Sequence, residues 1–279
     1  MRKLLSANFA RLWRSKLFYL GILAVAADVA YTLSNNFHYK EIWGLTDLTA
    51  TNLIFAGTYY LPLALAAFVS FYLGTDYGDK TLRNKLIAGH GRVSIYLASL
   101  ISCTVATLMI YVLGSAPVIA VGAPLLGGFS GRVGVLILQI LCSLLSVAAL
   151  ASLLTLCGML IQSKTVGVIV SVLLVVALVF FVTPKLSQML MEAETIGGWS
   201  YEDEDGNLHE VPEQQNPKYL TGASRAVVQF LHDLLPTGQL ESFGEEPPKH
   251  LWRYPLYAAL VTGAATAVGM VCFRRKDIK

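Results

Sequence analysis

The sequence predicts an all-α integral membrane protein: six transmembrane helices, both termini cytoplasmic, an N-terminal amphipathic interfacial helix and a large extracellular loop between spans five and six. The shortage of charge, the length of the apolar blocks and the placement of Lys and Arg carry that expectation. Of 279 residues, 55% are hydrophobic and 14% are charged, against roughly 45–50% and about 25% in soluble domains. A soluble chain of this size needs a polar coat, and these charges are too few to make one. A helix crossing a bilayer core of about 30 Å needs roughly 20 mostly apolar residues. Six stretches meet or approach that length: Leu17–Leu33, Asn52–Leu73, Val93–Ala120, Val133–Leu160, Thr165–Thr183 and Pro255–Phe273. The last five contain no Asp, Glu, Lys or Arg, and the first has only Asp28.

Orientation follows from the basic residues, which are retained on the cytoplasmic side of short loops. Met1–Lys16 carries Arg2, Lys3, Arg11, Arg14 and Lys16. The loop between spans two and three carries Lys80, Arg83, Lys85 and Arg92, the tight turn after span four has Lys164, and the tail has Arg274, Arg275, Lys276 and Lys279. The alternate loops are poor: Ser34–Thr51 has only Lys40, and the loop between spans three and four has only Arg132. Pro184–Tyr254 is too long to orient the chain. Its five basic and twelve acidic residues, a net of −7, suit an outside domain. A cleaved secretory leader is the rival reading of span one, because Ala24-Val25-Ala26 resembles a small-residue cleavage site. Its removal would leave an odd span count with the N-terminus outside.

Along the chain, residues 1–16 form an interfacial helix, with Leu4, Leu5, Phe9, Leu12 and Trp13 on one face and Arg2, Lys3, Ser6, Arg11 and Arg14 on the other. Such a helix lies in the membrane surface with its basic side toward anionic headgroups; a charged flank that only sets orientation is the simpler reading. Residues 17–183 hold spans one to five, with an inner loop at 74–92. Pro62 removes a backbone hydrogen bond within span two and favours a kink. Span four has a small-residue face (Ser143, Ser146, Ala149, Ser152), and span six has Gly263/Ala267 and Ala265/Gly269 at the spacing that permits close helix contact. Residues 184–254 form the acidic outer loop, with a hairpin tip at Glu202–Asn207 and an amphipathic helix over Ala223–Leu235 ended by Pro236. Span six and a basic tail occupy 255–279. The four cysteines all lie inside spans and read as small buried hydrophobes.

Catalytic chemistry finds little support. There is no GxxxxGK[ST], so the chain has no P-loop of its own, and neither GxSxG nor HExxH occurs. No catalytic, cofactor-binding or metal-ligating residue is expected, nor a nucleic-acid partner. Asp28 is the one costly residue in the bilayer, at roughly 2.5–3.5 kcal/mol for an Asp at a span centre. Twelve residues past Lys16, it lies about 18 Å from the inner end, beyond the midplane. Two readings stay open: it faces a substrate cavity or moves protons, or it makes an interhelical hydrogen bond or snorkels outward. Tyr59, Tyr60 and Gln139 are weaker candidates for a cavity lining.

The inner loop is the most informative segment. Asp79 stands where an N-cap belongs, Lys80–Ala88 can form a short helix, and Gly89 suits the position after its end. Leu82 and Leu86 make a small apolar ridge beside Arg83 and Lys85. Such a helix either seats in a groove of a cytoplasmic partner or lies flat on the lipid, and spacing alone does not choose.

The run Gly74-Thr-Asp76-Tyr77 through Thr81-Leu-Arg-Asn-Lys-Leu86, then Gly89, Arg92 and Tyr96, resembles the first cytoplasmic loop of type-2 ABC exporter permeases. The likeness is greatest to the branch near lantibiotic-immunity, bacitracin-resistance and peptide-toxin exporters. It extends to Arg11–Phe18, similar to the family's basic entry helix, and to Phe273–Asp277 after the last span. The specific motif covers about 25 residues. Relatives often carry a Lys just after the Tyr96 position, where this chain has Leu97. The resemblance implies a coupling helix at Asp79–Ala88 that docks on an ATPase through Asp79, Thr81, Leu82, Arg83, Asn84, Lys85 and Leu86. It further implies two separate cytoplasmic ATPase subunits holding ATP and Mg, a second permease subunit, identical or paralogous, a bacterial plasma-membrane location, and a peptide-like, toxin or antimicrobial cargo. The rival expectation is a stand-alone secondary transporter or membrane sensor that uses Asp28, although internal repeats, common in such carriers, are not evident.

Overall fold

The computed structural model describes residues 1–44, 50–56, 58, 60–126, 128–129, 131–202, 208–243 and 250–276. Its helices are α1 (Arg2–Arg14), α2 (Lys16–Trp43), α3 (Ala50–Ala56), α4 (Leu61–Gly78), α5 (Thr81–Ile87), α6 (Arg92–Leu125), α7 (Val133–Leu160), α8 (Lys164–Ala177), α9 (Thr183–Met191), α10 (Gly222–Leu234), α11 (Pro236–Ser242) and α12 (Arg253–Arg275). Two short antiparallel ladders join β1 (Thr195–Ile196) to β4 (Gln214–Gln215) and β2 (Trp199–Glu202) to β3 (Leu208–Val211). Among the described residues, five helical stretches are long and apolar enough to cross a membrane: Lys16–Ile42, Arg92–Leu125, Val133–Leu160, Lys164–Met191 and Arg253–Arg275. The chain is an all-α, multi-pass membrane protein.

Spans one and three run past their expected ends, α2 to Trp43 beyond Leu33 and α6 to Leu125 beyond Ala120. Two other expected spans differ from what is observed, and proline is involved in both. Asn52–Leu73 is not one helix but α3 followed by α4. Pro62 occupies the first turn of α4, where a missing N–H leaves nothing unsatisfied, so it helps start a helix and does not kink one. The fifth span was expected to stop at Thr183, yet the helix runs on to Met191. A π-helical turn at Leu178–Val182 lets the Thr183 N–H reach Leu178 O, just before Pro184, which has no N–H to give. The outer segment therefore starts with helix. In the same way Pro236 opens α11 as well as closing α10.

Packing follows side-chain size. Ser143, Ser146, Ala149 and Ser152 of α7 are all buried, and this face lets α12 and α6 approach closely. On α12 only one of the two small-residue pairs is packed inside: Ala265 and Gly269 are buried, while Gly263 and Ala267 are exposed. The ring of Tyr96 lies on Gly269, where an added Cβ would collide with the Tyr96 hydroxyl.

The loops sort to two ends of the bundle. At one end, here the basic end, α1, α5, the turn before α8 and the tail after α12 meet. At the far end, Thr58 donates to Leu240 O (3.0 Å), Thr183 bonds Thr237 (2.8 Å) and Ser146 donates to Gln239 Oε1 (2.6 Å), so α11 is pinned across the bundle. The hairpin expected around the acidic run is present as β2 and β3, with Glu202 opposite Leu208; its tip, 203–207, lies outside the described residues.

Candidate functional site

The basic end holds a cluster built from three helices around one carboxylate. Asp76, in the last turn of α4, is 1% exposed. Burial of a lone charge is prohibitive, so it persists only with partners. Arg11 of α1 forms a charged hydrogen bond to Asp76 Oδ1. Lys85 of α5 reaches Oδ2 at 3.3 Å, and the Thr81 hydroxyl donates to Oδ1 at 2.6 Å. The Arg11 guanidinium also covers the Tyr72 ring, 4.0 Å from its centroid. Tyr72 donates to Asn8 O (2.8 Å) and Lys85 to Asn8 Oδ1 (3.1 Å). Burial pushes the Lys85 ammonium below its ordinary value despite Asp76 beside it. For Arg11 burial works the same way, but Asp76 and Tyr72 outweigh it and raise the guanidinium.

A second tie joins the tail to this cluster. Lys276 Nζ donates to Tyr77 Oη and Met159 O, both at 2.8 Å, and Arg92 donates to Lys276 O. Burial lowers the Lys276 ammonium to about 8. The ends of α4, α6, α7 and α12 at the basic end are thereby linked within a few side chains of Asp76.

Several sequence expectations need correction here. Asp79 is not the N-cap of α5. It follows α4, and Lys80, in a left-handed conformation (φ 54°), precedes α5. Lys80 makes no side-chain cap bond to α5, and the Thr81 hydroxyl at its start donates instead to Asp76. The Leu82/Leu86 ridge does not face outward: Leu82 is 1% exposed and Leu86 packs on the core. The exposed face of α5 is instead Arg83, Asn84 and Ile87, with Ile87 74% exposed. On α1 the buried stripe is Leu4, Asn8 and Leu12, while Trp13 is exposed. The helix packs its polar Asn8 and Arg11 inward because Lys85 and Asp76 receive them.

The other candidates are dispersed. Asp28 is partly buried in α2, and among the described residues its carboxylate has no hydrogen-bond partner. Tyr59 lies outside the described residues. Tyr60 is exposed at the start of α4, its ring 6.5 Å from that of Phe180. Gln139 is buried in α7 near its far end. Sequence reasoning missed Asp76, Arg11, Tyr72 and Asn8 as a unit. The available signal was a carboxylate just past an apolar span, with Thr and Lys five and nine residues on.

Comparison with known protein families gives no match. Comparison with curated proteins gives none either. What fold and site define is a class: a helical multi-pass membrane protein whose terminal helix, short loop helix and tail are tied together at one end.

Proposed function

We propose that this chain is the membrane-spanning permease subunit of an ATP-binding-cassette exporter, moving amphipathic or hydrophobic cargo such as a small peptide, toxin or antimicrobial. The reading rests on α5. This short helix projects Arg83, Asn84 and Ile87 outward while Thr81 and Lys85 bind Asp76, so a push on its exposed face passes to α4 and, through Arg11, to α1. A separate cytoplasmic ATPase, two copies per complex with their ATP and Mg, supplies the push, and a second permease subunit completes the pathway. In this reading the basic end is cytoplasmic in a bacterial plasma membrane. Besides the five long spans, α3 and α4 together make a sixth crossing, which returns both termini to one side.

The test is a reconstituted complex. Arg83→Glu with Ile87→Asp is expected to leave the chain inserted but abolish cargo-stimulated ATP hydrolysis and co-purification of the ATPase. Unchanged stimulation in that variant rejects the docking role. The second reading, a carrier or sensor working alone through Asp28, draws on that carboxylate's lack of a partner among the described residues. Proton-driven uptake by the reconstituted chain without any ATPase would select it.

A further inference from the structure

Between α2 and α4, toward the basic end, lies an apolar groove of about 220 Å³. Its walls include Gly21 and Ala24 of α2 and Ala64 and Ala67 of α4, with Leu17 and Phe71 at its basic end; a side chain at Gly21 would point away, against Ile110 of α6. No lining residue carries a charge. An unfilled apolar space forfeits dispersion contacts along its whole lining, and in a bilayer the available filler is hydrocarbon.

Around the basic end of the groove cations outnumber carboxylates, the exposed carboxylate being Asp79, eight residues beyond Phe71. Lys16 directly precedes Leu17, and Arg14 ends α1 on the other side of the extended Ser15; both are exposed. The Lys164 ammonium sits 6.0 Å from the centroid of the Phe71 ring. It gets there because Gly74 has no side chain: a Cβ at that position would stand 2.8 Å from Lys164 Cγ. Asp76, five residues beyond Phe71, is already engaged by Arg11 and Lys85. Asp28 continues the Leu17–Ala24 stripe one turn past Ala24, toward the far end.

We infer that this groove is a binding site for one acyl chain of an anionic phospholipid, with its headgroup phosphate between Lys16 and Lys164. A twofold copy of the chain is disfavoured as occupant, because it would bring a second set of the same cations to this face, and no lining residue of the groove is a carboxylate that could pair them. The site needs only that α2 and α4 stand in lipid, and is independent of the exporter reading.

Full-length protein in neutral detergent, titrated with phosphatidylglycerol or phosphatidylethanolamine of identical acyl chains and read by native mass spectrometry, tests it. Phosphatidylglycerol is expected to be retained preferentially, by roughly fivefold for each lysine engaged. Lys16→Gln with Lys164→Gln, both at exposed positions, should erase the headgroup preference and leave the fold intact. Ala24→Leu with Ala67→Leu should fill the groove and remove the retained lipid. Equal retention of the two lipids by the unaltered protein overturns the proposal, as does unchanged retention in a folded groove-filling variant. Loss of phosphatidylglycerol on Asp28→Asn also overturns it, since retention would then depend on the far end of the stripe and not on the two lysines.

Discussion

Asp76 joins residues that are far apart in the chain: Arg11 is 65 positions away, and Tyr72, Thr81 and Lys85 lie on two further helices. Replacing it with Asn keeps the shape but leaves two partly buried cations facing a neutral amide, which costs about 3 kcal/mol. Unfolding in detergent should show that loss for Asp76→Asn, and Lys85→Met on the same background should recover part of it. At the far end, His232 sits between Asp233 (3.3 Å) and Glu241 (3.4 Å), with the Tyr254 hydroxyl also on Asp233. Burial alone would lower its pKa, but the two carboxylates outweigh it and raise it to about 9 from 6.5. The folded state therefore holds this proton more tightly than the unfolded chain. The stabilisation is complete below pH 6.5 and is lost as pH rises through about 9. A stability scan across that window should slope downward, and His232→Gln should flatten it. None of this pairing was legible in the sequence. Asp79 matched a local capping pattern, whereas Asp76 acquires its role only from a helix folded back against it.

The starts of helices with a strong composition signal were legible almost to the residue, whereas α2 and α6 run past their expected ends. Val133–Leu160 is both the expected span and α7, and α6, α10 and α12 begin within one or two residues of expectation. Proline was where sequence reading failed, because the same missing N–H suits a kink, a first turn or a stop. Pro62 was read as an interior kink and Pro184 as an end, and each instead falls in the first turn of a new helical segment. Small-residue spacing likewise located a packing face without saying which of two overlapping pairs is used. Because Tyr96 is fully buried against Gly269 and Gly263 faces open space, the two glycines should respond differently to one added methyl group. Gly269→Ala is expected to cost about 1–3 kcal/mol by overpacking, and Gly263→Ala to be close to neutral, by thermal unfolding in detergent.

For the whole molecule, composition was enough to place the chain in a bilayer, and the distribution of Lys and Arg anticipated which loops would gather at one end. A single cysteine introduced at Arg83 or at Trp199, in a background without Cys103, Cys142, Cys157 and Cys272, reads the orientation. Impermeant thiol reagent should reach position 199 from outside intact cells and position 83 only after the membrane is opened. The division of the expected second span has a further effect. At about 1.5 Å per residue, the 18 residues of α4 measure about 27 Å, while the 34 of neighbouring α6 measure about 51 Å. If α4 crosses with α3 as proposed above, α6 must lean to fit a hydrocarbon core of about 30 Å. The bilayer's hydrophobic thickness thus becomes a mechanical load on α6 and, through it, on α4, the helix that carries Asp76, so that membranes built from shorter or longer acyl chains set different resting tensions on the same polar knot.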